Sequence, residues 1–476
     1  MRVIRVQDSV HGMMEFTGSD ALVVGLLDAP EVSRLRGIKQ TGLAHYLYPS
    51  AEHSRLAHSL GVAYLALRFG FAVARRMDGV AAPSLSPRRE NLTDIAIAGL
   101  CHDLGHGPFS HFWENEVIGL NYDHRAWASA LGMPAPINRP KWHELVTQAM
   151  IRSPQSSLHK RLRSIDQDLP ARVSSLLEGT YYLSYLCPLL NSDADVDRFD
   201  FMLRDAQQCG LRQGQFDLDR LISTIGVGVE DGQLVLGFDR FKAKSALEQF
   251  LIARSALYEV VYYHRTVRSA EALMGKFLRR LKAVAGDLRG LRGLSAQTKV
   301  LLKVASGETA DLGDLSALDD SAVLGAVRLA GTMSKGDPTL VDLARRLQRR
   351  ELLKDCRVPE GAMDGYIGAG TPKRNEVDAQ IRQVVAKSLP LGLDPDSYWL
   401  IDERPSKKIF GPEEAKAGES GAPEDLYLLD RGIPILARTT DFKDYARKFP
   451  IAHRCFVVRD ARTEVHDIFT RHFGKA

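Results

Sequence analysis

The sequence has little cysteine, and its apolar residues do not form long uninterrupted runs. Five cysteines, odd in number and without a CxxC pair, argue against a disulfide framework and give no sign of a structural zinc site. Nowhere do eighteen consecutive apolar residues occur, and residues 1–8 lack the apolar core of a signal peptide. We therefore expect a cytoplasmic protein that does not cross a membrane.

The chain also lacks a strong excess of charge of either sign. Its 63 Lys and Arg residues oppose 59 Asp and Glu residues, giving a formal net charge of +4, so no polyanion-binding field covers the whole surface. Any basic site must be local. With 45% hydrophobic and 26% charged residues over 476 positions, the composition is typical of a globular protein with one large core and a smaller domain.

The densest cluster of polar functional groups lies in residues 101–111, which contain three imidazoles and one carboxylate. An apolar run precedes it, so we predict a buried helix that begins at Thr93 and ends near Gly105. Adjacent His102 and Asp103 can share a metal ion only if other helices supply further ligands. A capping turn with hydrogen-bonded rings is the alternative, and the two further histidines make it less favoured.

Two other segments can supply those ligands. A helix is predicted from Ser54 to Met77, and it carries His58 beside Arg55; a surface ion pair is the alternative there. The acidic run 193–200 follows later, and its early members could merely cap a helix. Asp197 lies inside that helix among apolar neighbours. Two imidazoles and two carboxylates favour Mn, Fe or Zn over Ca or Mg.

Four motifs, in order and spacing, resemble those of the HD-domain deoxynucleoside triphosphate (dNTP) triphosphohydrolases, in the SAM-and-HD-domain and bacterial dGTPase-like branch. They are residues 40–49, 55–61, 98–111 and 195–200. The resemblance extends from about Val6 to about Arg268. It implies metal-dependent hydrolysis of dNTPs to deoxynucleoside and inorganic triphosphate, through attack of metal-bound water or hydroxide on the α-phosphate.

The resemblance also implies roles for individual residues. The expected metal ligands are His58, His102, Asp103 and Asp197. The expected catalytic residues, which neutralise or protonate phosphate oxygens and the leaving group, are His106, His111, Glu114 and His143, with Glu114 orienting His111. His124 is the alternative to His143. The expected substrate-binding residues are Gln40, Arg55, Arg198, Asp205, Arg254 and Tyr262.

Cofactors and partners follow from the same resemblance. A divalent transition metal, Mn, Fe or Zn, is expected, with Mg on the substrate phosphates. A nucleotide activator is expected near Asp28 and Arg36, as is a homo-oligomer (dimer, tetramer or hexamer). Two residues depart from the family pattern: Phe201 replaces a tyrosine that contacts phosphate, and Thr41 replaces a bulky apolar residue that closes the pocket against a ribose 2′-hydroxyl. Exclusion of ribonucleotides is therefore not implied.

We expect a mainly α fold with a small α+β lobe. The predicted parts are an HD-domain core with an N-terminal regulatory segment at 1–285, a helical connector at 286–339 and the α+β lobe at 340–476. The strand-like periodicity begins at Tyr398, and segment 412–424 predicts a hairpin tip.

Two other functions fit the motifs. The same metal site could act on another nucleotide or on a nucleic-acid phosphoester. Less favoured is an inactive nucleotide-sensing or nucleic-acid-binding module that uses the basic helix around 345–350, because every expected metal ligand is present.

Overall fold

A computed structural model describes most of the chain. The described residues are 3–77, 84–119, 121–288, 294–359, 361–403, 407–408, 426–437, 440, 442, 448–449 and 452–474. The predicted hairpin tip at 412–424 lies outside them.

The fold is mainly α, as predicted. The elements before residue 240 are β1 (Val3–Asp8), β2 (Gly12–Thr17), α1 (Ala21–Gly25), α2 (Pro30–Ser33), α3 (Arg55–Met77), α4 (Arg89–Cys101), α5 (His111–Trp113), α6 (His124–Ala130), α7 (Trp142–Arg152), α8 (Ser157–Ile165), α9 (Leu169–Leu177), α10 (Val196–Gln208), α11 (Leu218–Thr224), β3 (Ile225–Glu230) and β4 (Gln233–Asp239).

The later elements are α12 (Lys244–Leu257), α13 (Arg265–Leu288), α14 (Ala296–Ala305), α15 (Leu312–Ser316), α16 (Asp320–Thr332), α17 (Pro338–Arg349), β5 (Lys354–Asp355), α18 (Ala362–Gly368), α19 (Thr371–Lys387), β6 (Trp399–Asp402), β7 (Lys407–Lys408), β8 (Tyr427–Asp430), β9 (Ile433–Leu436), β10 (Lys448–Phe449), β11 (Arg454–Val457) and α20 (Arg462–Phe473).

The centre of the core is the pair α3 and α4. Every residue of α4 from Asn91 onward is buried, and Gly99 lets α4 approach α3 so closely that an ideal Cβ there would lie 3.3 Å from the Ala63 backbone. Helix α3 is long and apolar enough to cross a membrane by length and composition, but 78% of its most apolar window is buried inside the protein. It is therefore a core helix that carries polar site residues at its first turns.

The predicted start of α4 at Thr93 is wrong by four residues. The Asn91 side chain accepts a hydrogen bond from the Arg88 backbone N–H at 2.8 Å and so caps the helix earlier. Thr93 lies inside the helix, where its hydroxyl donates to Asp20. The predicted end was also too late, since the helix stops at Cys101 and residues 102–105 form a turn.

Residues 286–339, the predicted connector, are joined to the loop that carries the histidines. Buried Asp320 accepts hydrogen bonds from the backbone N–H of Lys39 (2.9 Å) and of Phe109 (2.7 Å). Buried Arg34 donates to the carbonyls of Leu104 and Leu315, both at 3.0 Å. These contacts hold loop 102–110 between the N-terminal turns and α16. The division of the chain at residues 286 and 340 stays a prediction.

The predicted C-terminal strands are present and contact the helical core. Strand β8 pairs in parallel with β4, and the resulting sheet has the order β3-β4-β8-β9. A second sheet has the order β5-β11-β6. Arg268 of α13 is buried and ion-paired with Asp402 at the end of β6, and it also donates to the Ala452 carbonyl. Strand pairing and this ion pair therefore tie residues beyond 398 to elements before 289.

Gly105 provides a test of how tightly loop 102–110 packs against α7. An ideal Cβ on Gly105 would lie 1.9 Å from the His143 carbonyl oxygen of α7, and the Gly105 N–H donates to Thr147 at 2.8 Å. Gly105→Ala should therefore displace α7 and lower the free energy of unfolding by about 1–3 kcal/mol, as measured by urea denaturation. Gly286→Ala is the control: nothing lies within 4 Å of its ideal Cβ, and it should stabilise α13 by up to about 1 kcal/mol. Equal effects would contradict the close packing.

Candidate active site

The four predicted metal ligands converge where α3, α4 and α10 meet. His58 lies on α3, His102 and Asp103 directly follow α4, and Asp197 lies in the first turn of α10. The Nε2 atom of His58 is 3.0 Å from Asp197 Oδ1, and that of His102 is 3.5 Å from the same oxygen. The Asp103 oxygens lie 3.7 Å and 3.4 Å from these two nitrogens. Residues 140 positions apart thus face one point.

The state of the two imidazoles fits a metal ion. The Nδ1 of His102 is hydrogen-bonded to the Gly99 carbonyl at 2.7 Å, and the Nδ1 of His58 to Asp200 at 2.8 Å. Both Nε2 atoms are buried and have no hydrogen-bond partner among the described residues. A histidine whose Nδ1–H donates a hydrogen bond can offer the lone pair of its deprotonated Nε2 to a metal ion, as metal-ligating histidines do. The donor set of nitrogen and carboxylate oxygen suits a transition metal.

The ionisable side chains around the expected metal site stabilise one another's charged forms. Burial alone would lower the pKa of His58, but the adjacent carboxylates of Asp197 and Asp200 raise it to about 10. Burial alone would raise the pKa of Asp197, but His102 and His58 hold it well below its usual range. The pKa of Asp103 is also lowered despite burial, with Arg55 as the main cause. The carboxylates are therefore ionised and ready to bind a cation.

Asp200 is a site residue that the sequence analysis missed. It is fully buried and accepts hydrogen bonds from Arg204 (2.9 Å), besides bonding the rings of His11 (2.6 Å) and His58 (2.8 Å). Gly61 makes room for it, since an ideal Cβ there would lie 1.9 Å from Asp200 Oδ1. Asp200 lies three residues after Asp197 on α10, a helical spacing that signals a second acid on a neighbouring position.

The four predicted catalytic residues form a second cluster beside the first. The rings of His106 and His143 stack with centroids 4.3 Å apart, and the His111 ring lies 4.8 Å from that of His106. One ligand atom from each of His106, His111, Glu114 and His143 lies within 4.8 Å of the others. His106 Nε2 is 3.3 Å from Asp103, which joins this cluster to the metal ligands.

Glu114 orients a different histidine from the one predicted. His143 Nδ1 donates to both Glu114 oxygens, at 2.7 and 2.9 Å, whereas His111 Nδ1 is 3.9 Å away. Burial would raise the pKa of Glu114, but His106 and His143 hold it well below its usual range. The side chain of His111 is 68% exposed. His111 therefore borders solvent and is free to meet a ligand, while His143 is fixed.

The loop between His106 and His111 has a strained backbone. Phe109 and Ser110 both have positive φ, 56° and 63°, a conformation that non-glycine residues adopt rarely. The Phe109 N–H bond to Asp320 and the bond from Arg55 Nε to Ser110 Oγ (2.7 Å) hold this conformation. Such strain persists when the surroundings determine it, and it is concentrated at functional sites.

The predicted phosphate-binding arginines differ in how many of their N–H groups are already bonded within the protein. Arg55 is buried and ion-paired with Asp103, so it supports the metal ligands directly. Arg198 donates to the Ser192 carbonyl at 2.6 Å and pairs with Asp195. Arg254 is buried, and its Nε has no hydrogen-bond partner among the described residues. Burial and the nearby Arg198 lower the pKa of Arg254. Two cations thus lie close together.

The remaining predicted substrate residues form a connected group. Asp205 is bonded to His53 Nε2 at 2.7 Å and accepts from the Tyr262 hydroxyl at 2.5 Å. The backbone N–H of Gln40 donates to the His53 carbonyl at 3.0 Å, and His53 thus links Gln40 to Asp205. The Phe201 ring lies 6.4 Å from both the His58 ring and the Tyr262 ring. Phe201 thus connects this group to the metal ligands.

Comparison with known proteins assigns the class. Residues 55–131 match the model of the HD domain. A solved phosphohydrolase structure from Bacteroides thetaiotaomicron superimposes with a TM-score of 0.70 at 20% identity, over 96% of this chain and 100% of that one. A hypothetical protein from Aquifex aeolicus gives 0.65 at 21%, over 98% and 100%. These two likenesses concern the fold.

Sequence relatives refine the class. The chain is 27% identical to the uncharacterized protein YwfO of Bacillus subtilis, over 83% of this chain and 78% of that protein. It is 30% identical to the deoxynucleoside triphosphate triphosphohydrolase SAMHD1 of Homo sapiens over 55% of this chain, and 26% identical to that of Gallus gallus over 85%. The matches span 42% and 65% of those two proteins. The chain thus contains an HD domain and is similar in sequence to SAMHD1, and the resemblance inferred from its motifs is confirmed.

Replacing Asp200 tests whether the hydrogen bonds behind the expected metal ligands are needed for metal binding. Asp200→Asn keeps the shape but removes the charge and one acceptor oxygen, so His11, His58 and Arg204 compete for the single oxygen that remains. We expect metal affinity to fall by about 10–100-fold, measured by chelator competition, with circular dichroism unchanged. Asp219→Asn, at a side chain that is 83% exposed, is the control. Wild-type affinity in Asp200→Asn would show that His58 needs no carboxylate behind it.

Proposed function

We propose that the protein is a metal-dependent dNTP triphosphohydrolase that converts a dNTP into the deoxynucleoside and inorganic triphosphate. The observation that carries this proposal is the convergence of two unpartnered imidazole nitrogens with two carboxylates, directly beside a cluster of three histidines. The relation to SAMHD1 supports the nucleotide substrate. Deeply buried, oppositely charged groups of this kind are typical of catalytic centres.

The proposed metal ligands are His58, His102, Asp103 and Asp197. When bound, an Mn, Fe or Zn ion would supply Lewis acidity, which activates water and polarises a phosphoryl oxygen near neutral pH. Arg55 and Asp200 hold the ligands in place through Asp103 and His58.

The proposed role of the histidine cluster is to bind phosphate oxygens and to move a proton. In the reaction, water oxygen forms a bond to the α-phosphorus and the bond from that phosphorus to the 5′-oxygen breaks. The 5′-oxygen takes up a proton as the deoxynucleoside leaves. His111, 4.8 Å from the His106 ring, would donate it: partial desolvation and the nearby His106 and Arg55 lower the pKa of His111 in the free protein, and a bound triphosphate would raise it again. His143, fixed by Glu114, and His106 would bind the phosphates.

The proposed substrate-binding groups are two neighbouring arginines and the hydrogen-bonded group around Asp205. Arg198 and Arg254, which lie near each other, would bind the outer phosphates together with Mg. Gln40 and Asp205 would contact the 3′-hydroxyl, and Tyr262 would pack on the sugar. A nucleotide activator and a homo-oligomer remain part of the proposal by relation to SAMHD1.

The decisive assay is a product analysis. With Mn and a mixture of dNTPs, the protein should release inorganic triphosphate and deoxynucleoside, in the presence of GTP or dGTP as activator if required. Asp197→Ala should lower the rate by at least about 100-fold, since an interaction on which the metal site depends is lost, whereas Asp219→Asn should retain it. Release of phosphate or mononucleotide instead would favour another phosphoester as substrate. Release of none of these products by metal-loaded protein would refute the proposal.

Metal binding should also displace a proton. The pKa of His58 in the metal-free protein is raised to about 10, so the ring is protonated at pH 7 and must lose a proton when Nε2 binds metal. We expect about one proton released per ion, and an affinity that weakens by up to about tenfold for each unit of pH decrease. Calorimetry in two buffers of different ionisation enthalpy measures this number. An affinity independent of pH between 6 and 8 would be inconsistent with His58 as a ligand.

A further inference from the structure

Two consecutive residues near the site have buried polar atoms with no partner. The Oε1 atom of Gln40 and the Oγ1 atom of Thr41 are buried, and neither makes a hydrogen bond within the described residues. Leaving a buried polar atom unpaired is costly, and native proteins contain few such atoms. Two at adjacent positions therefore indicate a ligand that supplies the missing hydrogen bonds.

The position of this pair is fixed from both sides. Before it, Lys39 forms a bridge with Ser54, and the Arg55 N–H donates to the Ile38 carbonyl at 2.8 Å, so the segment lies against the first turn of α3 that leads to His58. After it, an ideal Cβ on Gly42 would lie 3.6 Å from the Phe109 carbonyl oxygen. Gln40 and Thr41 therefore lie between the helix of one metal ligand and the histidine loop.

The neighbouring groups are suited to a sugar. The Gln40 backbone is bonded to His53, whose ring is bonded to Asp205, which in turn accepts from Tyr262. Small-molecule sites use a few such polar groups beside aromatic side chains to fix the orientation of a ligand, and these groups can all hydrogen-bond hydroxyls. A glutamine oxygen accepts one hydrogen bond, and a threonine hydroxyl both donates and accepts. Together they match two neighbouring hydroxyls.

We propose, on the basis of the proposed function, that Thr41 binds the 2′-hydroxyl of a ribose, beside the 3′-hydroxyl at Gln40, and that the protein hydrolyses ribonucleoside triphosphates as well as dNTPs. A ribonucleotide satisfies both unpartnered atoms, whereas a deoxyribonucleotide leaves Thr41 Oγ1 unpaired. A site built to hydrogen-bond a hydroxyl discriminates against the analogue that lacks it. The kcat/KM for an NTP should therefore equal or exceed that for the matching dNTP, by up to about tenfold.

The test compares kcat/KM for ATP with dATP, and for GTP with dGTP, in Mn-loaded full-length protein. Thr41→Val removes the hydroxyl with little change of volume, and it should lower the NTP-to-dNTP ratio by about 5–10-fold. Thr41→Ser, which keeps the hydroxyl, should restore the ratio. Asp219→Asn should leave the ratio at the wild-type value.

The outcomes separate this inference from the function on which it rests. Hydrolysis of dNTPs without hydrolysis of NTPs would overturn the inference and leave the proposed function intact. Equal losses on both substrates in Thr41→Val would also overturn it, because a packing role does not distinguish the sugars. Failure to hydrolyse any nucleoside triphosphate would refute the proposed function itself, and this inference with it.

Discussion

The requirement that buried charges be paired determines how the central helices meet. Asp197, Asp200 and Asp103 are carboxylates at the junction of α3, α4 and α10, and a buried charge without a partner costs several kcal/mol. His58 bonds Asp200 on one ring nitrogen and faces Asp197 with the other. The ring thus fixes α3 relative to α10. A displacement of either helix would leave a carboxylate unpaired, so the fold and the site depend on the same contacts.

Arginines near the site fall into two groups with different consequences. Arg55 and Arg204 are buried and fully engaged by Asp103, Asp200 and Asp8, so they compensate the acids and have little left for a ligand. Arg254 keeps an unpartnered Nε. The net charge of +4 conceals this difference, because paired cations contribute to the sum but not to the local field.

The motifs predicted which side chains lie near one another better than they predicted the individual contacts between them. Residue types and order indicated which side chains meet, and the apolar run before His102 correctly predicted a buried helix ending at the cluster. The contact of Glu114 with His143 could not be foreseen, because α6 and the segments on either side of it separate the two residues, and tertiary packing determines how close they come. The same holds for Asp320, which lies 211 positions from Phe109. The start of α4 was misplaced because Asn91, whose side chain accepts from the Arg88 N–H in the first turn, was assigned to a loop.

Several buried polar atoms at the proposed site have no hydrogen-bond partner among the residues that the structure describes. His58 Nε2, His102 Nε2, His106 Nδ1, Gln40 Oε1, Thr41 Oγ1 and Arg254 Nε are all buried and unpartnered within the described part of the chain. Other buried polar atoms also lack a partner there, among them Ser59 Oγ, Trp113 Nε1 and Trp142 Nε1, but these six belong to residues of the proposed site and its sugar-binding part. Nitrogen lone pairs call for a cation, the guanidinium for an anion, and the amide and hydroxyl for a sugar. The proposed ligand, a metal-bound nucleotide, would meet all these demands, so the atoms that lack partners in the free protein would be ready to bind it.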